Sequence, residues 1–202
     1  MTRVALATHN LHKLEEFRQI IGETFHGVHV EAYDGPEPQE TGLSFEENAL
    51  IKARAAAEFT RQPSLADDSG ICVDALGGMP GVFSAYWAGH RKDDDANLGL
   101  LLDQLSDIVE PQRRRAHYVA VLAFVVPGET GGQEFVVRGE WDGTLTLEPR
   151  GLGGFGYDPI FVPEGEKRTA AELTAEEKSA ISHRRRAFTL LMPLLAEHLG
   201  LS

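Results

Sequence analysis

Several features are scarce in this chain of 202 residues, and each scarcity excludes a class of protein. A single cysteine, Cys72, rules out an internal disulfide, and we expect a reducing, cytoplasmic setting. No apolar run approaches the ~18 residues of a membrane span, and the N-terminus lacks the pattern of a signal peptide. Basic residues are a minority, since 19 Lys and Arg stand against 31 Asp and Glu, for a net charge of −12. A nucleic-acid polymer is therefore disfavoured as a partner, because its binding depends on many Lys and Arg contacts to phosphate.

What is present predicts one α/β domain with a mixed sheet over residues 1–202. Periodicity and turn residues predict strands at 4–7, 65–66, 71–73, 115–126, 133–141 and 160–162. They predict helices from 11 to a stop at Gly22, and at 45–59, 93–105 and 175–199, the last kinked or interrupted at Pro193. Residues 67–70 are predicted to form a loop and 141–144 a turn.

Residues 8–13, THNLHK, form a polar island between the first strand and the first helix. Backbone N–H groups at a helix N-terminus attract phosphate, and Lys13 lies in the first helical turn. Taken alone, Asn10 is equally explained as a helix cap and Lys13 as a solvated charge. The pattern GxxxxGK[ST] is absent, so this is not a Walker-type phosphate loop.

Three carboxylates, Glu40, Asp67 and Asp68, form the second candidate group. Hydrolysis of a triphosphate usually needs a hard divalent cation, and magnesium is held by one or two carboxylates plus substrate oxygens and water. An Asx turn explains the two aspartates equally well. On the adjoining helix, whose Ser44 and Glu47 have capping-box spacing, Lys52 lies on one face with Asn48.

Two further islands follow, each with a plainer explanation as a tight turn or a basic helical face. Residues 155–159, FGYDP, come after three glycines that let backbone approach a ligand, and Phe155 offers a stacking face for a base. Residues 177–188 include Lys178, Ser182, His183 and Arg184. Charged His and Arg donate hydrogen bonds to a keto oxygen but accept none from an exocyclic amine, which favours 6-keto purines over adenine.

Taken in order, these islands resemble one family over nearly the whole chain. The segments THNLHK, ETGLSFEENALIKA (40–53), LADDSGICVDALGGMPGVFSA (65–85), GGFGYDPIF (153–161) and AELTAEEKSAISHR (171–184) are similar to the inosine triphosphate pyrophosphatase family. The resemblance implies an elongated, two-lobed α/β fold with a long mixed sheet and the active-site cleft between the lobes. It also implies a homodimer that converts ITP, dITP or XTP to the monophosphate and pyrophosphate with Mg²⁺.

The resemblance assigns roles residue by residue. The metal ligands would be Glu40 and Asp68, supported by Asp67, and Asp68 would also be the proton acceptor. The phosphates would be held by Thr8, Asn10, Lys13, Lys52 and Lys178. Further substrate contacts would come from His9, Ser69, Phe155, Gly156, Tyr157, Asp158, His183 and Arg184. Phe155 would stack on the base, and His183 with Arg184 would read its 6-keto edge.

Two departures and two alternatives stay open at this point. His9 stands where many members of the family carry glycine, and Tyr86 stands where arginine is usual. The sequence leaves open whether Asp68 is a general base or only a metal ligand. It also leaves open a nucleotide-binding sensor without activity, and a pyrophosphatase for modified pyrimidine nucleotides.

Overall fold

The structure is a computed structural model that describes residues 2–9, 11–128 and 132–200. The chain divides into two compact units. The first unit contains Met1–Asp68, Val121–Arg138 and Ala187–Ser202, and the second contains Ser69–Ala120 and Gly139–Arg186. Three long strands and the last helix contribute residues to both units.

Strands and helices mix along the described chain. The strands are β1 (Thr2–Leu6), β2 (Val28–Ala32), β3 (Ser64–Val73), β4 (Arg115–Val126), β5 (Gln133–Leu145) and β6 (Phe161–Pro163). The α-helices are α1 (Leu11–Thr24), α2 (Phe45–Thr60), α3 (Asp94–Gln104), α4 (Ala175–Ile181) and α5 (His183–Leu199). Short 3₁₀ turns lie at Asp74–Leu76, Gly81–Tyr86, Pro111–Arg113, Asp158–Ile160 and Ala170–Glu172.

The strands form a six-stranded sheet in the order β2-β1-β3-β4-β5-β6. Strand β1 pairs in parallel with β2 and with β3, whereas β5 pairs antiparallel with β6. The connection from β4 to β5 is too short for a parallel crossover, which needs a dozen or more residues. The predicted α/β class with a mixed sheet is therefore confirmed.

Each unit has its own apolar core. In the first, the buried face of α1 includes Phe17, whose ring meets Phe188 edge-on at a centroid distance of 4.6 Å. The alanines of α2 are buried on the face that also carries Lys52. In the second, the core gathers around Tyr118 and Trp141 and includes Ile71, Leu101 and Phe161.

Four predicted element boundaries were wrong. Helix α1 continues through Gly22 to Thr24, because burial of Ile20 and Ile21 outweighs the ~1 kcal/mol that a helical glycine costs. Residues 67–70 form no loop, since β3 runs unbroken from Ser64 to Val73.

The other two errors lie in the second half of the chain. Residues 141–144 belong to β5, and a Cβ at Gly143 would come within 2.3 Å of the Val162 carbonyl of the paired strand. The C-terminal helix breaks at Ser182, which is extended (φ −66°, ψ 162°), and it continues through Pro193. Burial of Leu191 and Leu195 on one face stabilises α5 across the proline.

None of the helices in the described part of the chain is both long enough and apolar enough to cross a bilayer.

Arg114 is a buried cation that joins three segments of the second unit. Its guanidinium donates to the carbonyls of Leu105, Ile108, Leu145 and Thr146 at 2.8–3.0 Å. The side chain is 1% exposed, so these bonds are shielded from water. Removing it leaves two buried and two partly buried carbonyl acceptors without this donor.

We expect Arg114→Met to lower the free energy of unfolding by about 3–5 kcal/mol, because each stranded acceptor costs about 1–3 kcal/mol before relaxation. Urea denaturation of the purified protein would measure the loss. The matched control is Arg113→Met at the exposed neighbour, whose ion pair with Glu110 is a surface contact and should change stability by less than about 0.5 kcal/mol. Equal losses of the free energy of unfolding in the two variants would contradict the conclusion that the hydrogen bonds of Arg114 stabilise the fold.

Candidate active site

Two carboxylates of the first unit converge on one ammonium group. Lys52 Nζ lies 3.0 Å from Glu40 Oε1 and 2.8 Å from Asp68 Oδ1. Lys52 and Asp68 are each 9% exposed, whereas the Glu40 side chain is 29% exposed. Residues that are 28 positions apart in the sequence thus point their acidic oxygens at a common position.

Helix α2 places Lys52 and also anchors the loop that carries Glu40. The Ser44 hydroxyl accepts from Glu47 N at 3.2 Å, and the Glu47 carboxylate accepts from Leu43 N at 2.6 Å. Within the helix, Asn48 Oδ1 accepts from Gly42 N at 2.9 Å. The predicted cap is confirmed at Ser44, and Asn48 ties the loop to the helix.

Strand β3 carries Asp67 and Asp68 side by side, and they have different partners. Lys13 Nζ lies 2.6 Å from Asp67 Oδ1, and Asp67 is 4% exposed. Successive side chains of a strand point to opposite faces, so each aspartate meets its own lysine. Within the described residues, no group of three or more His, Cys, Asp or Glu side chains is arranged to hold a metal. Glu40 and Asp68 thus share one partner, Lys52, whereas Asp67 pairs with Lys13.

Burial and crowded negative charge shift the ionisation of this cluster. Burial, with the nearby charges of Glu40 and Asp67, raises the pKa of Asp68 from 3.8 to about 6, although Lys52 opposes the shift. Burial alone would lower the pKa of Lys52, but the charges of Asp68, Asp67 and Glu40 outweigh it and raise the pKa. Lys52 therefore stays charged at neutral pH, beside a carboxylate that takes up a proton more readily than an ordinary aspartate.

A glycine-rich turn in the second unit is folded around Asp158. Gly154 has φ +72°, and a Cβ there would come within 2.2 Å of Asp158 Oδ2, so this position requires glycine. The same oxygen accepts from Phe155 N at 2.8 Å. Gly156 N donates to Asp94 Oδ2 at 3.1 Å, and the buried Tyr157 hydroxyl donates to the Ser84 carbonyl at 2.8 Å.

The Phe155 ring is presented to solvent with two cations beside it. It is 60% exposed, with Lys178 Nζ 4.9 Å and Arg184 Cζ 5.7 Å from the ring centroid. Lys178 also pairs with Asp158, which is 2% exposed. An exposed aromatic face held by a buried ion pair suits the stacking of a flat ligand ring.

His183 and Arg184 begin helix α5 and are 4% and 6% exposed. The His183 ring stacks on Tyr118, with centroids 4.9 Å apart and planes 11° apart. It also lies 6.2 Å from the Trp141 ring at 21°. The structure thus groups Phe155, Asp158, Lys178, His183 and Arg184 in the second unit.

The remaining candidates lie near these clusters or outside the described residues. Thr8 and His9 follow β1, and the exposed His9 ring is parallel to Tyr33 at a centroid distance of 5.9 Å. Ser69 is half-buried in β3 directly after Asp68. Tyr86 stacks on His90 at 5.4 Å. Asn10 lies outside the described residues.

Sequence reasoning missed three residues that support the second cluster: Tyr118, Trp141 and Asp94. The first two lie within strands and have ordinary core composition, so no local pattern marks them. Asp94 stands in a run of three aspartates that is fully explained as the capped first turn of α3.

Comparison with known proteins shows the family of this chain. Residues 4–194 match the sequence profile described as the Ham1 family. The chain belongs to the Ham1 family. It is 57% identical to the dITP/XTP pyrophosphatase of Leifsonia xyli subsp. xyli, with 96% of each chain covered. It is 50% identical to the dITP/XTP pyrophosphatase of Mycobacterium tuberculosis, again with 96% of each chain covered.

Solved structures of Ham1 proteins have the same fold. A HAM1 protein from Coxiella burnetii superposes with a TM-score of 0.89 at 39% identity, covering 98% of this chain and 100% of that one. A nucleoside-triphosphatase, dITP/XTP pyrophosphatase, from Mycobacterium abscessus superposes with a TM-score of 0.79 at 49% identity, covering 95% and 100%.

The raised pKa of Asp68 predicts a specific dependence of stability on pH. Folding takes up a proton at this site between pH 3.8 and about 6, so the contribution to stability is present at low pH and is lost as pH rises through that window. We expect Asp68→Asn to be more stable than the wild type at pH 8 by on the order of 2 kcal/mol, and equal to it below about pH 4.

Urea denaturation in EDTA from pH 4 to 8 would measure this difference. Glu134→Gln serves as the control, because Glu134 is an exposed acid paired with Arg54 and its pKa is lowered. A constant offset between Asp68→Asn and wild type at every pH would refute the prediction.

Proposed function

We propose that this Ham1 protein hydrolyses non-standard purine nucleoside triphosphates (ITP, dITP and XTP) to the monophosphate and pyrophosphate, with Mg²⁺ as cofactor. The observation that carries the proposal is the convergence of Glu40 Oε1 and Asp68 Oδ1 on one cation, the Lys52 ammonium. The names of the relatives, dITP/XTP pyrophosphatases in Leifsonia xyli and Mycobacterium tuberculosis, support the same substrates.

The donor set fits a hard divalent cation. Two convergent carboxylates, with substrate oxygens and water completing the shell, are the usual protein contribution to a magnesium site. Glu40 and Asp68 would hold the ion, and Asp67, paired with Lys13, would support them through its charge. Bound Mg²⁺ would supply positive charge to the phosphate oxygens as the anhydride breaks.

The side chains of the first cluster would carry the hydrolytic step. The reaction adds water at the α-phosphorus and releases pyrophosphate. Lys13 and Lys52 would hold the negatively charged phosphates, helped by Thr8 and His9 after β1 and by Asn10. Asp68 would help to hold the ion and would accept the proton of the attacking water, and the charge of bound Mg²⁺ would lower its pKa and weaken it as a base.

The second cluster would recognise the base. Phe155 would stack on the purine, with Gly156, Tyr157 and Asp158 forming the turn that presents it. Lys178 would contribute positive charge to phosphate, and Ser69 would touch the substrate. His183 and Arg184 would donate to the 6-keto oxygen of hypoxanthine or xanthine, and adenine offers an amine at that position instead.

Two alternative functions make different predictions. A sensor would bind ITP without releasing pyrophosphate, and the presence of Glu40, Asp67, Asp68 and Lys178 argues against it, because binding alone needs no hydrolytic set. A pyrophosphatase for modified pyrimidines would prefer dUTP over ITP.

Location and assembly form a further part of the proposal. We infer that the protein acts in the cytoplasm as a homodimer, from the single cysteine and the family resemblance. Light scattering should then report twice the mass of the 22.1 kDa chain, and a monomer would contradict it.

Pyrophosphate release from a nucleotide panel tests the proposed activity. We expect ITP, dITP and XTP to be hydrolysed with kcat/KM at least about 100-fold above ATP, because a site that hydrogen-bonds a keto oxygen is left unpaired by the amine of adenine, and above dUTP, whose keto oxygens lie on a smaller ring. EDTA should abolish release, and Mg²⁺ should restore it. Binding of ITP without pyrophosphate release would favour the sensor, and preference for dUTP would favour the pyrimidine enzyme.

Removal of the convergent carboxylates should abolish turnover. We expect Asp68→Asn and Glu40→Gln each to lower kcat for ITP by about a thousandfold or more, because each removes charge from the metal ligands. The matched control, Glu134→Gln, removes an exposed acid of the same unit and should keep wild-type kcat. Substantial activity in Asp68→Asn would remove Asp68 from the mechanism.

A further inference from the structure

Tyr118 is a buried residue of β4 that contacts two of the proposed substrate-binding residues. Its hydroxyl donates to Asp158 Oδ1 at 3.3 Å, and its ring stacks on the His183 ring at a centroid distance of 4.9 Å. The residue is 8% exposed, and its ring also lies against Trp141 and Phe161, at centroid distances of 6.4 and 4.7 Å. Any effect of Tyr118 on substrate binding is therefore exerted through Asp158 and His183 and not by direct contact with a ligand.

The hydroxyl of Tyr118 completes the hydrogen bonding of a buried carboxylate. Asp158 Oδ2 accepts from Phe155 N and Lys178, and Oδ1 accepts from Tyr118. Burial, with the charge of Asp158, raises the pKa of Tyr118 well above its ordinary value, so the phenol stays a donor at physiological pH. Asp158 in turn fixes the backbone that presents the Phe155 ring.

The ring of Tyr118 restrains the plane of His183. The two rings are within 11° of parallel, and Trp141 stacks on the same histidine at 6.2 Å and 21°. An imidazole donates only in its own plane, so the plane sets the direction in which His183 offers an N–H group. A side chain that keeps this plane fixed controls which hydrogen-bond acceptors on a base are within reach of His183.

We propose that Tyr118 is a positioning residue that sets the preference for 6-keto purines over adenine, through the plane of His183, while its hydroxyl sets the Phe155 turn through Asp158. This inference rests on the proposed function, because it names a determinant of selectivity at the proposed base site. A core residue with packing alone as its role would change stability and leave selectivity untouched.

Three substitutions separate the contacts of Tyr118. Tyr118→Leu removes both ring and hydroxyl, Tyr118→Met fills a similar volume without a flat face, and Tyr118→Phe keeps the ring alone. For each, kcat and KM are measured for ITP and ATP. We expect Tyr118→Leu and Tyr118→Met to lower the ITP:ATP ratio of kcat/KM by about five- to tenfold. This fold-change corresponds to the free energy that one contact between two aromatic rings contributes. Tyr118→Phe should keep the ratio within about twofold and raise KM for both nucleotides by about fivefold.

A double-mutant cycle shows whether Tyr118 acts through His183. In a His183→Ala background, Tyr118→Leu should change the ratio by less than about twofold, because the group that it positions is gone. Tyr33→Phe is the control, since Tyr33 is another buried tyrosine whose hydroxyl donates to one acceptor, the Pro36 carbonyl. It should leave the ITP:ATP ratio at the wild-type value.

Two results would overturn the inference. The first is an unchanged ratio in both Tyr118→Leu and Tyr118→Met when wild type prefers ITP. The second is an equal loss of ratio with and without His183, which would place the effect elsewhere in the core. Absence of ITP hydrolysis in wild type would instead refute the proposed function, so the two failures are distinguishable. An unchanged KM in Tyr118→Phe would remove the role of the hydroxyl.

Discussion

The first unit depends on one shared ammonium group, that of Lys52. Two carboxylates from separate segments, Glu40 and Asp68, would repel each other in a buried setting without a cation between their oxygens. Lys52 reduces this repulsion, but the pKa of Asp68 is still raised, first by burial of the carboxyl and then by the charges of Glu40 and Asp67. Glu40, Asp68 and Lys52 carry one net negative charge when all three are ionised, and we propose that a divalent cation neutralises it.

The second unit also contains a buried aspartate paired with a lysine, but this pair has a different role. Asp158 is buried with Lys178, but its remaining hydrogen bonds go to Phe155 N and Tyr118, so the carboxylate serves as an anchor and faces no second acid. Gly154 makes this possible by leaving room for the carboxylate. One buried aspartate is thus left partly uncompensated and suited to chemistry, whereas the other is saturated and suited to holding a turn.

Much of the fold could be predicted, and a candidate site proposed, because the signals are local or come in order along the chain. Helix α2 follows from Ser44 and an alanine-rich face, and the candidate metal ligands were proposed from an acid in a loop, Glu40, and one at the end of a short strand, Asp68. The stacking of His183 on Tyr118 could not be predicted, since it joins residues 65 positions apart, and Tyr118 has ordinary core composition. Register between distant strands is fixed by the sum of many contacts, which no short window contains.

The wrong boundaries carry a physical lesson about this site. Adjacent aspartates at 67 and 68 predict a turn, since ionised carboxylates inside a strand are costly when they lack partners. The strand nevertheless continues, because Lys13 and Lys52 each meet one of the two. A polar run that interrupts an apolar strand therefore has two explanations: a turn, or a continuous strand whose charges are paired. Which of the two applies depends on whether lysines elsewhere in the chain pair with the acids. Here the two aspartates that made the local prediction wrong are also residues for which we propose a function. A strand holds side chains more rigidly than a turn does, and a functional site needs rigidly held side chains.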